Sequence, residues 1–151
     1  MKEKTWNRIV IAGTVGILAI IAVITIIIDP FFHYHKPLEN LEYPMLYERY
    51  QNDGIARWYS YDAMITGTSM TQNFKASEFD RLMGVTSVKT SYHGATFSEL
   101  SSNIERALEY NDDLKIVLCS LDGNMLNMQA SETQYEGIPL YLCDNNIFND
   151  V

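Results

Sequence analysis

At 151 residues and a formal net charge of −8, the chain is long enough for one modest core but too acidic to offer a nucleic-acid surface. Two cysteines and three histidines without matched spacing argue against both a disulfide scaffold and a structural zinc site. Neither a P-loop nor a dinucleotide-type glycine fingerprint occurs, so no cofactor and no metal are expected.

Ile9 to Ile28 is an uncharged apolar run of Ile, Val, Ala, Leu, Gly and Thr. As a helix, about 20 residues rise about 30 Å, which spans hydrocarbon. Lys2, Lys4 and Arg8 precede the run, while Asp29 and Pro30 follow it. The positive-inside rule therefore puts residues 1–8 in the cytoplasm, 9–28 in the cell membrane and everything beyond Pro30 outside. The run is long for a signal-peptide core and no small-x-small cleavage site precedes Asp29, so an uncleaved signal anchor is expected, with a cleaved signal peptide as the alternative. With Lys2, Glu3, Lys4 and Arg8 set aside, the exported portion keeps an excess of about ten negative charges.

Residues 29–60 read as a stalk and connector. Asp29-Pro30-Phe31-Phe32-His33-Tyr34-His35-Lys36-Pro37 cannot continue a helix, and its aromatics suit a lipid interface. His33 and His35 lack a nearby carboxylate or thiol cluster, so metal binding there is weakly supported. Residues 38–59 are tyrosine-rich, with Pro44 and Asn52-Asp53-Gly54 as turn signals, and predict an extended connector packed against the domain.

Residues 61–151 carry the domain. Apolar runs alternate with helical stretches, the pattern of parallel β-α-β construction. Strands are expected at Tyr61–Thr66, Val85–Lys89 and Leu114–Leu121, the last buried on both faces. A short helix begins near Ser77 and ends at Gly84. The next opens with a capping box at Thr96-Phe97-Ser98-Glu99 and a staple between Ala95 and Leu100. Phe97, Leu100, Ile104, Ala107 and Leu108 form its apolar stripe. Cys119 reads as a buried thiol. A Cys119–Cys143 disulfide would suit an exported location, although a strand-interior thiol seldom faces a partner.

With right-handed crossovers and the first strand in the centre, three loops meet at the carboxyl edge of the sheet. They carry Gly67-Thr68-Ser69, Ser91-Tyr92-His93-Gly94 and Leu121-Asp122-Gly123-Asn124. A serine at a strand end, followed by a helix start, has the layout of a nucleophile with amide donors facing developing negative charge. Turns rich in Ser and Thr also follow strands for purely structural reasons.

These residues resemble the SGNH or GDSL-type hydrolases. The closer likeness is to the membrane-anchored branch found with membrane-bound O-acyltransferases in bacterial cell-surface polysaccharide modification. The Asp29 to His35 stretch, Gln51-Asn52-Asp53-Gly54-Ile55 and Ile65-Thr66-Gly67-Thr68-Ser69-Met70-Thr71 carry the likeness. It implies a three-layer, flavodoxin-like parallel sheet, incomplete here, behind one transmembrane helix. It also implies Ser69 as nucleophile, with Thr68 in place of the usual Asp, and the Gly94 amide as an oxyanion donor. The third-block position falls to Asp122 or Asn124. The partners implied are an acylated surface polysaccharide or acyl donor, and a membrane-bound O-acyltransferase.

The family's Asp-x-x-His, which supplies the general base, does not occur in the sequence. His93 is the one histidine near the expected cleft, either a base or a loop residue shaping the second block. After Asn124 no further β-α unit is legible. The expectation is therefore an N-terminal portion of a longer esterase or acyltransferase, inactive alone. The alternative is a non-catalytic, membrane-anchored module that binds glycan or scaffolds an acyltransferase, since tyrosines stack well on sugars.

Overall fold

The computed structural model describes residues 3–123. Helix α1, Glu3–Ile28, buries none of its residues against the domain, and it is long and apolar enough to cross a membrane. Its end is built by Asp29, whose left-handed backbone (φ 44°) turns the chain. The Asp29 carboxylate then accepts the N–H groups of His33 (2.9 Å), Tyr34 (2.7 Å) and His35 (3.0 Å). Three donors on one buried carboxylate make a rigid turn. Phe32, also left-handed at φ 56°, is driven completely out of solvent between Tyr43 and Tyr59.

The expected extended connector is corrected here. Helix α2, Glu48–Trp58, occupies its second half, and Asn52-Asp53-Gly54 lies inside that helix as buried residues. Local propensity favours a turn at this tripeptide, but tertiary contacts override it. Asp53 pairs with Arg57 one turn on (2.6 Å) and with Arg106 across the domain (2.8 Å). Gly54 lets the Phe31–Phe32 backbone settle directly on the helix. The stalk is therefore a docked turn plus a helix.

Strands β1 (Ala63–Gly67), β2 (Ser87–Ser91) and β3 (Ile116–Cys119) form a parallel sheet in the order β2-β1-β3, with β1 central as expected. A short 3-10 helix, Ser69–Asn73, and helix α3, Ala76–Met83, link β1 to β2. Helix α4, Phe97–Tyr110, links β2 to β3. All three strands start two residues later than the sequence suggests, and β3 also ends two residues earlier. Asp62 is occupied instead in accepting the Thr86 N–H and in pairing with Lys115, which ties the strand starts together.

Alternation along the strands assigns the layers. Met64, with Val88 and Val117 beside it, packs under Ala56 of α2 and Ala107 of α4. Ile65 and Leu118 turn to the opposite face, beside Phe79 and Leu82 of α3. All of β1 is buried, each large side chain contributing about 1.5–3 kcal/mol. β3 departs from expectation. Its residues are only partly covered, with Leu118 at 37% exposure, because among the described residues a strand lies on one side of it only. Cys119 is likewise half-buried, against the Tyr92, Ala95 and Leu100 cluster.

Local signals hold where they are self-contained. Thr96 and Glu99 form the reciprocal capping box, and Ala95 and Leu100 pack together as the staple requires. Gly84 ends α3 at φ 68°, donating its N–H to the Asp80 carbonyl. In the α4 stripe Leu100 and Ala107 are buried, while Phe97 and Leu108 remain exposed.

The Asp29 turn has a pH signature. Burial, with Arg57 nearby, lowers the His33 imidazole below its usual 6.5, against opposing pulls from Asp29 and Asp53. The folded state then binds fewer protons than the unfolded chain, so this group's stability contribution is lost as pH falls below 6.5. His35 shifts the opposite way, chiefly because its ring faces the Lys36 carbonyl, with Ile26 adding to it. His33→Gln is expected to reduce the loss of melting temperature on acidification, and His35→Gln to enlarge it. Melting curves of the full chain in nanodiscs across this range check both signs.

Candidate functional site

Because all three strands are parallel, their carboxyl ends share one edge, and hydrogen bonds beyond the ladders draw the three loops together. Tyr92 donates to the Gly67 carbonyl (2.9 Å) and Ser120 to the Thr66 carbonyl (3.0 Å). Gly67 sits at φ 151°, and a Cβ there would press on Thr71 Oγ1 and come within 2.7 Å of Ser120 Cβ. Only glycine fits this close approach.

Ser69 is the first residue of the 3-10 helix and is half-buried. Thr68 is the cap: its hydroxyl accepts from the Met70 N–H at 3.4 Å and donates to Asp122 Oδ2. The Thr68–Asp122 bond joins the first and third loops, giving Thr68 a bracing role. Asp122 is thereby placed as an acceptor. Its contribution here is to hold the Ser69 turn. Gly94, at φ 58°, makes the exposed turn after β2. Asn124 lies outside the described residues, as does Cys143.

His93 faces elsewhere. Its exposed ring puts Nδ1 2.8 Å from Glu48 Oε1 and 3.1 Å from Gln72 Nε2, and makes no hydrogen bond to Ser69. Gln72 also donates to Glu48 (2.6 Å), so the three side chains form one cluster between α2, the 3-10 helix and the second loop. Arg49 steadies that loop from below. It donates to the His93 carbonyl (2.7 Å) and pairs with the fully buried Glu99 of the α4 capping box (2.7 Å).

A cavity of about 550 Å³ opens beside this cluster. Glu48, Gln72, Lys89 and His93 form its polar wall, and Met45, Leu46 and Ile55 its apolar one. Gln51 and Asn52 also line it, but their amides are committed to the carbonyls of Pro30, Pro44 and Ser91. Sequence reasoning missed Glu48, Gln72 and Lys89. The one signal for α2 was an acidic residue in the first turn and an arginine in the last, which suit a helix dipole. Among the described residues no group of three potential ligands clusters to hold a metal, His33 and His35 included. Comparison of the chain with protein families, curated proteins and solved structures finds no match.

Proposed function

We propose that the chain is a single-pass protein, its N-terminus cytoplasmic and its domain outside the cell membrane, carrying an SGNH-type acyl-transfer seat at Ser69. The carrying observation is the seat itself: a serine leading a helical turn at the carboxyl end of the central strand, behind a glycine that only glycine can replace. The substrate class is an O-acyl ester of a surface polysaccharide or its acyl donor.

In the reaction, Ser69 Oγ bonds to the acyl carbonyl carbon while the carbonyl electrons move onto oxygen. The amides of Ser69 and Gly94 receive that oxyanion. Its collapse breaks the bond to the donor's alcohol oxygen, which takes up the serine proton through a general base. Water or a glycan hydroxyl then repeats the attack and frees Ser69. No Asp-x-x-His occurs in the sequence and the His93 ring is engaged by Glu48, so no described residue is assigned as the general base.

The experiment is fluorophosphonate labelling of the full chain in membranes of the cells that produce it, where partners are present. Labelling is expected on Ser69 and is expected to fall to background in Ser69→Ala. Absence of labelling there would overturn the reading. It would favour a non-catalytic module that binds glycan or scaffolds an acyltransferase, for which the Glu48–Gln72–His93 cavity, not lined by Ser69, is the supporting observation.

A further inference from the structure

Residues 36–47 carry a run of exposed apolar side chains that the core does not use: Leu38, Leu41, Met45, Leu46 and Tyr47, with Leu46 at 68% exposure. Their position is fixed by the end of α1. The Tyr43 hydroxyl donates to the Ile28 carbonyl (2.8 Å) and accepts the Leu38 N–H (3.3 Å), and the His35 ring meets the Ile26 carbonyl (3.1 Å). The exposed run is thus pinned to the last turn of the apolar helix. Leu46, three residues past Tyr43, lies within about 10 Å of it along the chain.

We propose that residues 38–47 form a membrane-docking collar, seated in the interfacial layer of the bilayer leaflet that α1 reaches at Ile28. The inference rests on α1 spanning the membrane. The collar is irregular, so its backbone polar groups need water and cannot enter hydrocarbon. Its side chains reach the headgroup and acyl boundary, the layer that tyrosines also favour. Glu39 and Glu42 within the run mean that apolar insertion, not attraction to anionic lipid, holds it there. Met45 and Leu46 also wall the 550 Å³ cavity, so docking sets that cavity beside the lipid surface.

The test is depth-dependent quenching of a fluorophore on the full chain in nanodiscs of zwitterionic lipid. Single labels are placed through Leu41→Cys and Leu46→Cys with Cys119 and Cys143 changed to alanine. Val23→Cys reports the span, and Leu82→Cys, on the opposite face of the sheet, reports solvent. Headgroup-proximal nitroxide lipid is expected to quench labels at 41 and 46 at least about threefold more than at 82. Quenching at 41 and 46 equal to that at 82, with deep nitroxides still quenching 23, would overturn the collar while sparing the anchor. Loss of quenching at 23 as well would overturn the spanning reading and the collar together.

Discussion

Glu99→Ala is expected to destabilise the domain by about 3–5 kcal/mol, the range for removing one partner of a buried ion pair. Glu99 has no solvent exposure, and it serves two structures at once. Its carboxylate accepts the Thr96 N–H (2.9 Å) to close the capping box and receives Arg49 Nε (2.7 Å) and Nη2 (3.3 Å) from α2. Alanine removes both and leaves the Arg49 guanidinium, 17% exposed, without its carboxylate. Glu99→Gln keeps an acceptor for the cap and is expected to cost distinctly less. Urea melts of the two variants against wild type, followed by tryptophan fluorescence, give the difference. Equal stabilities of alanine variant and wild type would show that the pair contributes nothing net. Since Arg49 also holds the His93 carbonyl, the alanine variant is expected to loosen the second loop.

Gly54→Ala should likewise destabilise, although helix propensity alone argues the reverse. Propensity favours alanine by up to about 1 kcal/mol in a helix interior. Against this, the new Cβ would lie 2.5 Å from both Phe32 Cβ and the Phe32 carbonyl oxygen, and 2.8 Å from the Phe31 carbonyl oxygen. Backbone atoms cannot swing aside as a flexible side chain would, so the Asp29 turn must lift off α2. Overpacking of this kind costs about 1–3 kcal/mol or more, which outweighs the propensity gain. A lower melting temperature, together with faster proteolysis between α1 and α2, is the expected result. A variant more stable than wild type would mean that the turn is not seated on Gly54.

The sequence was most legible where a signal is complete within a few residues. Thr96 and Glu99 are three apart, Gly84 follows its helix directly, and Gly67-Thr68-Ser69 closes an apolar run; each is found where the pattern places it. Helix α2 was not legible because its middle reads Asn-Asp-Gly. Those residues become helical through Phe32, 22 positions before Gly54, and Arg106, 53 positions after Asp53. The candidate site divides in the same way. The Ser69 turn follows from local chemistry, whereas Glu48 and His93 meet across 45 residues and Thr68 and Asp122 across 54. No spacing rule reaches that far. β3 misled for a different reason. A continuous apolar run signals burial on both faces, yet periodicity cannot say which neighbour supplies the cover.

The domain's position follows from the same contacts. Asp29, Tyr43 and His35 tie the last turn of α1 to the body of the protein, so the helix and the sheet are joined by bonded structure and not by a loose tether. On the acyl-transfer reading proposed above, these contacts would hold the Ser69 edge at a fixed height above the membrane.

The most direct test of the acyl-transfer reading is capture of the covalent intermediate. Membranes of the producing cells, incubated with an activated acyl ester, would be quenched in acid and the purified chain weighed and peptide-mapped by mass spectrometry. One acyl group on the peptide bearing Ser69, absent from Ser69→Ala, is the result predicted. No adduct, or an equal adduct in Ser69→Ala, would contradict it.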